Sequence, residues 1–173
     1  MSKYFEDIYK CPVCGVNDCV PPHNPSKSRV LIVGEFPGKE EKIRGVPLIG
    51  RTGTILRNEL AYMGWDLSGF GTCNLWQHEP NKNEECLQHG KSVVIKEAKK
   101  KKVVLLVGSD VAKMFLTKTV SEVNGLNVKE FLKFPFSAPV VMAMYNPAIV
   151  FHSVHGEIRL ALEKFIQQVE KHT

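Results

Sequence analysis

A chain of 173 residues, 43% hydrophobic and 24% charged, is long enough for one domain with a substantial core and too short for two ordinary ones. Its longest apolar runs, such as VVLLV from Val103, fall far below a membrane span, and the N-terminal MSKYFEDIYKCPVC lacks the apolar core and cleavage site of a signal peptide. A cytoplasmic protein with no membrane partner is therefore expected, and a net charge of +5 is compatible with a polyanionic partner without establishing one.

In chain order, the first 28 residues form a cysteine- and proline-rich arm, in which VPPHNP is too stiff for a helix or a central strand. RVLIVG then reads as a buried strand. RTGTILRNELAYMGW places Ile55, Leu56, Leu60 and Met63 at helical spacing. FGTCNLW is a short strand followed by an irregular polar stretch from Gln77 to Glu84. EECLQHGKSVVIKEAKKK reads as a helix whose lysine-rich end suits the negative end of the helix dipole, the solvated face of an ordinary helix. KVVLLVGS is the clearest strand, and DVAKMFL starts a helix with Asp110 as its N-cap. A variable segment, residues 117–137, leads to PVVMAMYNP, a strand ending in a turn. VHGEIRLALEKFIQQVEKH closes the chain as an amphipathic helix.

Four buried strands separated by helices describe an α/β protein, a three-layer α/β/α sandwich with a central four-stranded parallel sheet. The whole of 1–173 reads as one domain, with the arm packed on it. Right-handed crossovers bring GEFPG, NLWQH, VGSD and YNPAIVFHS to one edge of the sheet, where open α/β sheets bind ligands. Gly34 and Gly38 permit close approach of the backbone to a ligand, and Gly45, Gly50 and Gly53 precede or open a helix whose free amides can hold a phosphate. Each of these motifs also fits an ordinary strand-to-helix connection. No G-x-G-x-x-G follows the first strand, which argues against a dinucleotide fold.

Five cysteines without an export signal argue against a disulfide framework, and CPVC, carrying Cys11 and Cys14, has the two-residue spacing of a zinc or iron–sulfur ligand pair.

LIVGEFPGKEEKIRGVPLIGRTGTILRNEL, residues 31–60, resembles the first motif block of the uracil-DNA glycosylase superfamily, most closely its iron–sulfur (family 4) branch. CNLWQH, VVLLVGSDVAKMFL and MYNPAIV resemble further blocks of that branch in the same order. The resemblance implies a DNA glycosylase that flips a base, uracil or a modified pyrimidine, out of DNA and hydrolyses its N-glycosidic bond. It implies catalytic roles for Glu35, Glu41 and Asn146, and base contacts from Phe36, Leu48 and Asn74; the Asn74 amide offers both a donor and an acceptor to a pyrimidine edge. DNA would be held by Gly50, Thr52, Gly53 and Ser109. A wedge loop after Asn146 would present Val150 and Phe151 to the base stack, with His152, Ser153, His155 and Arg159 near phosphates.

The same resemblance implies a 4Fe-4S cluster, with zinc as the alternative, on Cys11, Cys14, His78 and Cys86; Cys19 or Cys73 are alternatives to His78, which stands where the branch has a cysteine. Three departures bear on substrate. Leu48 replaces the phenylalanine that stacks on the flipped base, Phe36 is bulky where a small residue is usual, and Asn146 replaces the second-motif histidine. They are compatible with a pocket rebuilt for another base, such as a hypermodified phage base in an antiphage role. They are also compatible with a non-catalytic DNA-binding accessory or inhibitor on the same fold. A monomer is expected.

Overall fold

The computed structural model describes residues 8–25 and 27–173, and of residues 149–154 the backbone alone. Four strands, β1 (Val30–Gly34), β2 (Gly71–Asn74), β3 (Val103–Val107) and β4 (Val140–Met144), form one sheet in the order β2-β1-β3-β4, and every pairing is parallel. All four strands are buried along their length, which is why they read as unbroken apolar runs instead of alternating ones.

Alternation of side chains divides the core into two layers. Ile32, Leu105, Val107, Met142 and Met144 face the helices α2 (Arg51–Tyr62) and α6 (Pro147–His172), meeting Leu56, Leu60, Ile158 and Phe165. Leu31, Val33, Leu106 and Val141 face α3 (Glu84–Ala98) and α4 (Ser109–Phe115), meeting Val94, Ala98, Val111 and Phe115. The expected three-layer α/β/α sandwich is therefore the observed architecture. Two short helices complete it, α1 (Lys39–Arg44) and α5 (Val120–Val123).

The chain leaves β1 toward β2 on one side and reaches β3 on the other, so the sheet reverses its order between β1 and β3. Such a switch point opens a crevice at the carboxyl ends of the two strands. The arm covers the free edge of β2: His23 and Thr72 exchange both backbone hydrogen bonds, at 2.9 and 2.7 Å, and Val20 N donates to Gln77 O at 2.7 Å.

Three local readings of the sequence are corrected. Asp110 is not an N-cap: α4 starts at Ser109 behind Gly108, whose φ of +104° is glycine territory, and Asp110 falls in the first turn. The segment expected as a wedge loop is helical, because the Asn146 side chain accepts from Ala148 N and Pro147 occupies the first helical turn, starting α6 well before Val154. The lysine run is not wholly solvated: α3 ends at Ala98, and Lys101 is buried, donating to Asn24 Oδ1 and, at 2.6 Å, to Ser28 O.

Candidate active site and metal centre

At the switch point lies a cavity of about 280 Å³, lined among others by Gly34, Glu35, Phe36, Leu48, Asn74 and Asn146. It joins the ends of β1, β2 and β4, the convergence expected from topology.

Asn74 ends β2 and is 1% exposed. Its backbone is fixed by Gln77 Nε2, which donates to Asn74 O at 2.7 Å, and by Leu75 N, which donates to Gly34 O at 2.9 Å. Gly34 makes room for the side chain, since a Cβ there would stand 2.6 Å from Asn74 Oδ1. Among the described residues, Asn74 Nδ2 is a buried side-chain donor with no partner. Leaving such a group unsatisfied costs about 1–3 kcal/mol, which a ligand acceptor recovers.

Glu35 follows β1 and is 8% exposed. Asn146 aims at it through a short relay. Thr52 Oγ1 and Ala148 N donate to Asn146 Oδ1 at 2.9 and 3.0 Å, so the amide nitrogen is turned to Glu35 Oε1, where it donates at 3.2 Å. Burial pushes the Glu35 carboxyl above the usual carboxylate range; the Asn146 hydrogen bond opposes this, and the Asp110 carboxyl beside it adds to the rise. Asp110, read from sequence only as a helix cap, is thus a neighbour of the acid. Its place three residues after the end of β3 was the signal that could have found it.

Although Glu41 follows Glu40 in the chain, it is not a surface charge. It is buried and accepts from Gly50 N at 3.1 Å, bracing the loop that carries Leu48. Leu48 sits in the left-handed region at φ 56°, and its carbonyl fills the space where a side chain on Gly53 would be, 1.7 Å from such a Cβ. Gly53 is accordingly buried inside α2, Gly50 caps that helix, and Ser109 is exposed at the start of α4. Phe36 is 47% exposed at the cavity mouth.

The side chains of Val150, Phe151, His152 and Ser153, on the first turns of α6, lie outside the described residues. Further along that helix, Arg159 does not reach toward the cavity: it forms a two-pronged pair with Glu59 of α2, Nε to Oε2 at 2.9 Å and Nη2 to Oε1 at 3.1 Å. His155 Nε2 lies 3.4 Å from the same carboxylate. Arg159 holds the Glu59 carboxyl below the usual range. Sequence reading missed Glu59, whose place among the apolar residues of α2 was its only mark.

On the far side of β2, Cys11, Cys14, His78 and Cys86 bring one ligand atom each to within 4.8 Å of the others. The arm supplies Cys11 and Cys14 in a turn closed by Gly15 N donating to Cys11 O at 2.9 Å. The loop after β2 supplies His78, and the first turn of α3 supplies Cys86. Of the two alternatives, Cys73 is buried in β2 within the α3-facing core, and Cys19, though buried beside Cys11, is not one of the converging four. The donor set fits a metal centre that ties the arm to the sheet. Among the described residues no helix is long and apolar enough to cross a membrane.

Comparison with known proteins gives two findings. The family model of the Uracil DNA glycosylase superfamily matches residues 21–169. The chain is also 27% identical over 168 residues to a type-4 uracil-DNA glycosylase of Archaeoglobus fulgidus, an alignment covering 88% of this chain and 83% of that one.

Proposed function

Because this chain belongs to the uracil-DNA glycosylase superfamily, we propose that it is a DNA N-glycosylase that takes an extruded base into the cavity at the switch point and hydrolyses its bond to the sugar. The observation that carries this reading is Asn74 Nδ2, a buried donor that lacks an acceptor and belongs to a residue lining the cavity. A base carbonyl supplies that acceptor. The relative's name specifies uracil, and a pyrimidine with such a carbonyl is the substrate class proposed here.

The chemistry follows from the neighbours of Asn74. As the bond between C1′ and the base nitrogen breaks, the base takes the electron pair and positive charge develops on the sugar. Asn74 holds the developing negative charge on the base through its hydrogen bond. The Glu35 carboxylate favours the positive sugar and takes a proton from the attacking water as the water oxygen bonds to C1′; the departing base anion takes up a proton in turn, leaving an abasic site, the free base and Glu35 ready for the next turnover. Asn146 keeps Glu35 in one orientation because its own oxygen is already committed to Thr52 and Ala148. Phe36 and Leu48 flank the ring. The smaller Leu48 favours a ring carrying an added group, so modified cytosines of the kind found in phage DNA stand beside uracil as substrates.

Oligonucleotides carrying uracil, hypoxanthine or modified cytosines, incubated with enzyme and then cleaved with alkali, test the proposal. Wild type is expected to cut at least one of them, Glu35→Ala none, and Asn74→Ala with strongly reduced kcat and kcat/KM. DNA binding without cleavage of any substrate by the wild type would instead mark a non-catalytic accessory.

A further inference from the structure

We infer that Cys11, Cys14, His78 and Cys86 form a site for a single tetrahedral Zn²⁺ ion, not for a four-iron cluster. The inference rests on the spacing of the donor atoms and is independent of the glycosylase reading.

A zinc ion sits about 2.3 Å from a thiolate sulfur and about 2.0–2.1 Å from an imidazole nitrogen, so tetrahedral geometry separates two sulfurs by about 3.8 Å and sulfur from nitrogen by about 3.6 Å. Cys11 Sγ and Cys86 Sγ are 3.9 Å apart, and Cys14 Sγ and His78 Nε2 are 3.6 Å apart. All four atoms stay within 4.8 Å of one another. A cubane cluster lies between its ligands and holds each on a different corner iron, which spreads the thiolate sulfurs well beyond the separation of two ligands on one ion. The observed envelope has no room for it.

The surroundings agree with the spacing. His78 Nδ1 donates to Glu79 O at 2.8 Å, which commits the ring hydrogen to that side and leaves the Nε2 lone pair facing the sulfurs. Cys14 N donates to Cys11 Sγ at 3.5 Å, and Asn81 Nδ2 to Cys86 Sγ at 3.9 Å, each easing negative charge on a thiolate. Three sulfurs and one imidazole nitrogen are a closed structural zinc set with no position left open for catalysis. The ion would join the arm, the loop after β2 and the start of α3, in line with folding coupled to metal binding.

The test is elemental analysis of the full chain, purified without oxygen from cells supplied with both metals. The expected result is about one zinc per chain with only trace iron, and a colourless protein. Replacement by Co²⁺ should give the intense visible bands of a tetrahedral thiolate site. His78→Ala should lose those bands and most of the zinc, and His78→Cys should keep both, because four thiolates also make a tetrahedral zinc site. A brown protein with about four irons and four sulfides per chain overturns the inference. So does a folded wild type that binds neither metal.

Discussion

Gly108 and Glu35 share one space: a Cβ on residue 108 would stand 2.0 Å from Glu35 Oε1, and the glycine holds a φ of +104°. The end of β3 therefore forms the floor beneath the acid at the end of β1, across the point where the sheet reverses its order. Gly108→Ala is expected to push Glu35 off its bond to Asn146 and to strain the backbone by about 1–3 kcal/mol. Base release should fall by about 100-fold or more, because an ångström of misplacement at a reacting group carries such a cost. Single-turnover kinetics with a denaturant melt separate the two effects; unaltered kinetics would mean that Glu35 acts from some other position.

Burial of Glu35 makes stability depend on pH. Its folded-state pKa is raised above that of the unfolded chain, so the native state holds the proton more tightly. Below the unfolded value the carboxyl is protonated in both states and carries no penalty. As pH rises through the folded value, ionisation in a buried site destabilises the fold. Glu35→Gln, which cannot ionise, should therefore melt higher than wild type at about pH 8 and close to it at about pH 4. Thermal melts across that range check it, and a difference that shrinks with rising pH contradicts the assigned direction.

The layers of the fold were legible because parallel strands buried on both faces leave long apolar runs, as in VLIVG and VVLLV. What depends on contacts distant in sequence was not. The adjacent Glu40 and Glu41 give no sign in the sequence that Glu41 is buried and accepts from Gly50 N, nine residues on. Lys101 looked solvated because its partners, Asn24 and Ser28, lie in the arm. The α6 start was readable in principle, since Asn146 followed by Pro147 is a capping signal. The short α5 was readable too: Thr119 and Glu122 form a capping box.

Arg159, expected from the resemblance near a phosphate, is found paired with Glu59, and measurement can separate the two roles. Its guanidinium is committed to Glu59, with side chains 41% and 9% exposed respectively. Arg159→Ala leaves the enclosed carboxylate without that cation, so stability should fall at neutral pH. The Glu59 pKa is lowered in the folded state, so the pair's contribution exists above the unfolded value and is lost as pH falls through the folded one. The deficit of the variant should thus disappear in acid. If Arg159 serves only this pair, the salt dependence of DNA binding stays unchanged; loss of about one unit of slope would show that it neutralises a phosphate.

Leu48 is where the pocket and the backbone constrain each other. Its loop is clamped because a Cβ on Gly34 would lie 2.9 Å from Leu48 Cδ2 and one on Gly53 would lie 1.7 Å from its carbonyl oxygen. Leu48→Phe leaves the left-handed backbone no worse off, as neither residue favours it, and directs a ring into the cavity. Stacking on an unsubstituted pyrimidine is worth about 1–3 kcal/mol, so uracil release under subsaturating substrate should rise by about 5- to 150-fold. A pyrimidine carrying a large added group should lose activity in the same variant, because the ring takes the space that Leu48 leaves free. Opposite shifts for the two substrates identify residue 48 as the wall that selects the base. Equal losses for both would place the extruded ring elsewhere in the cavity.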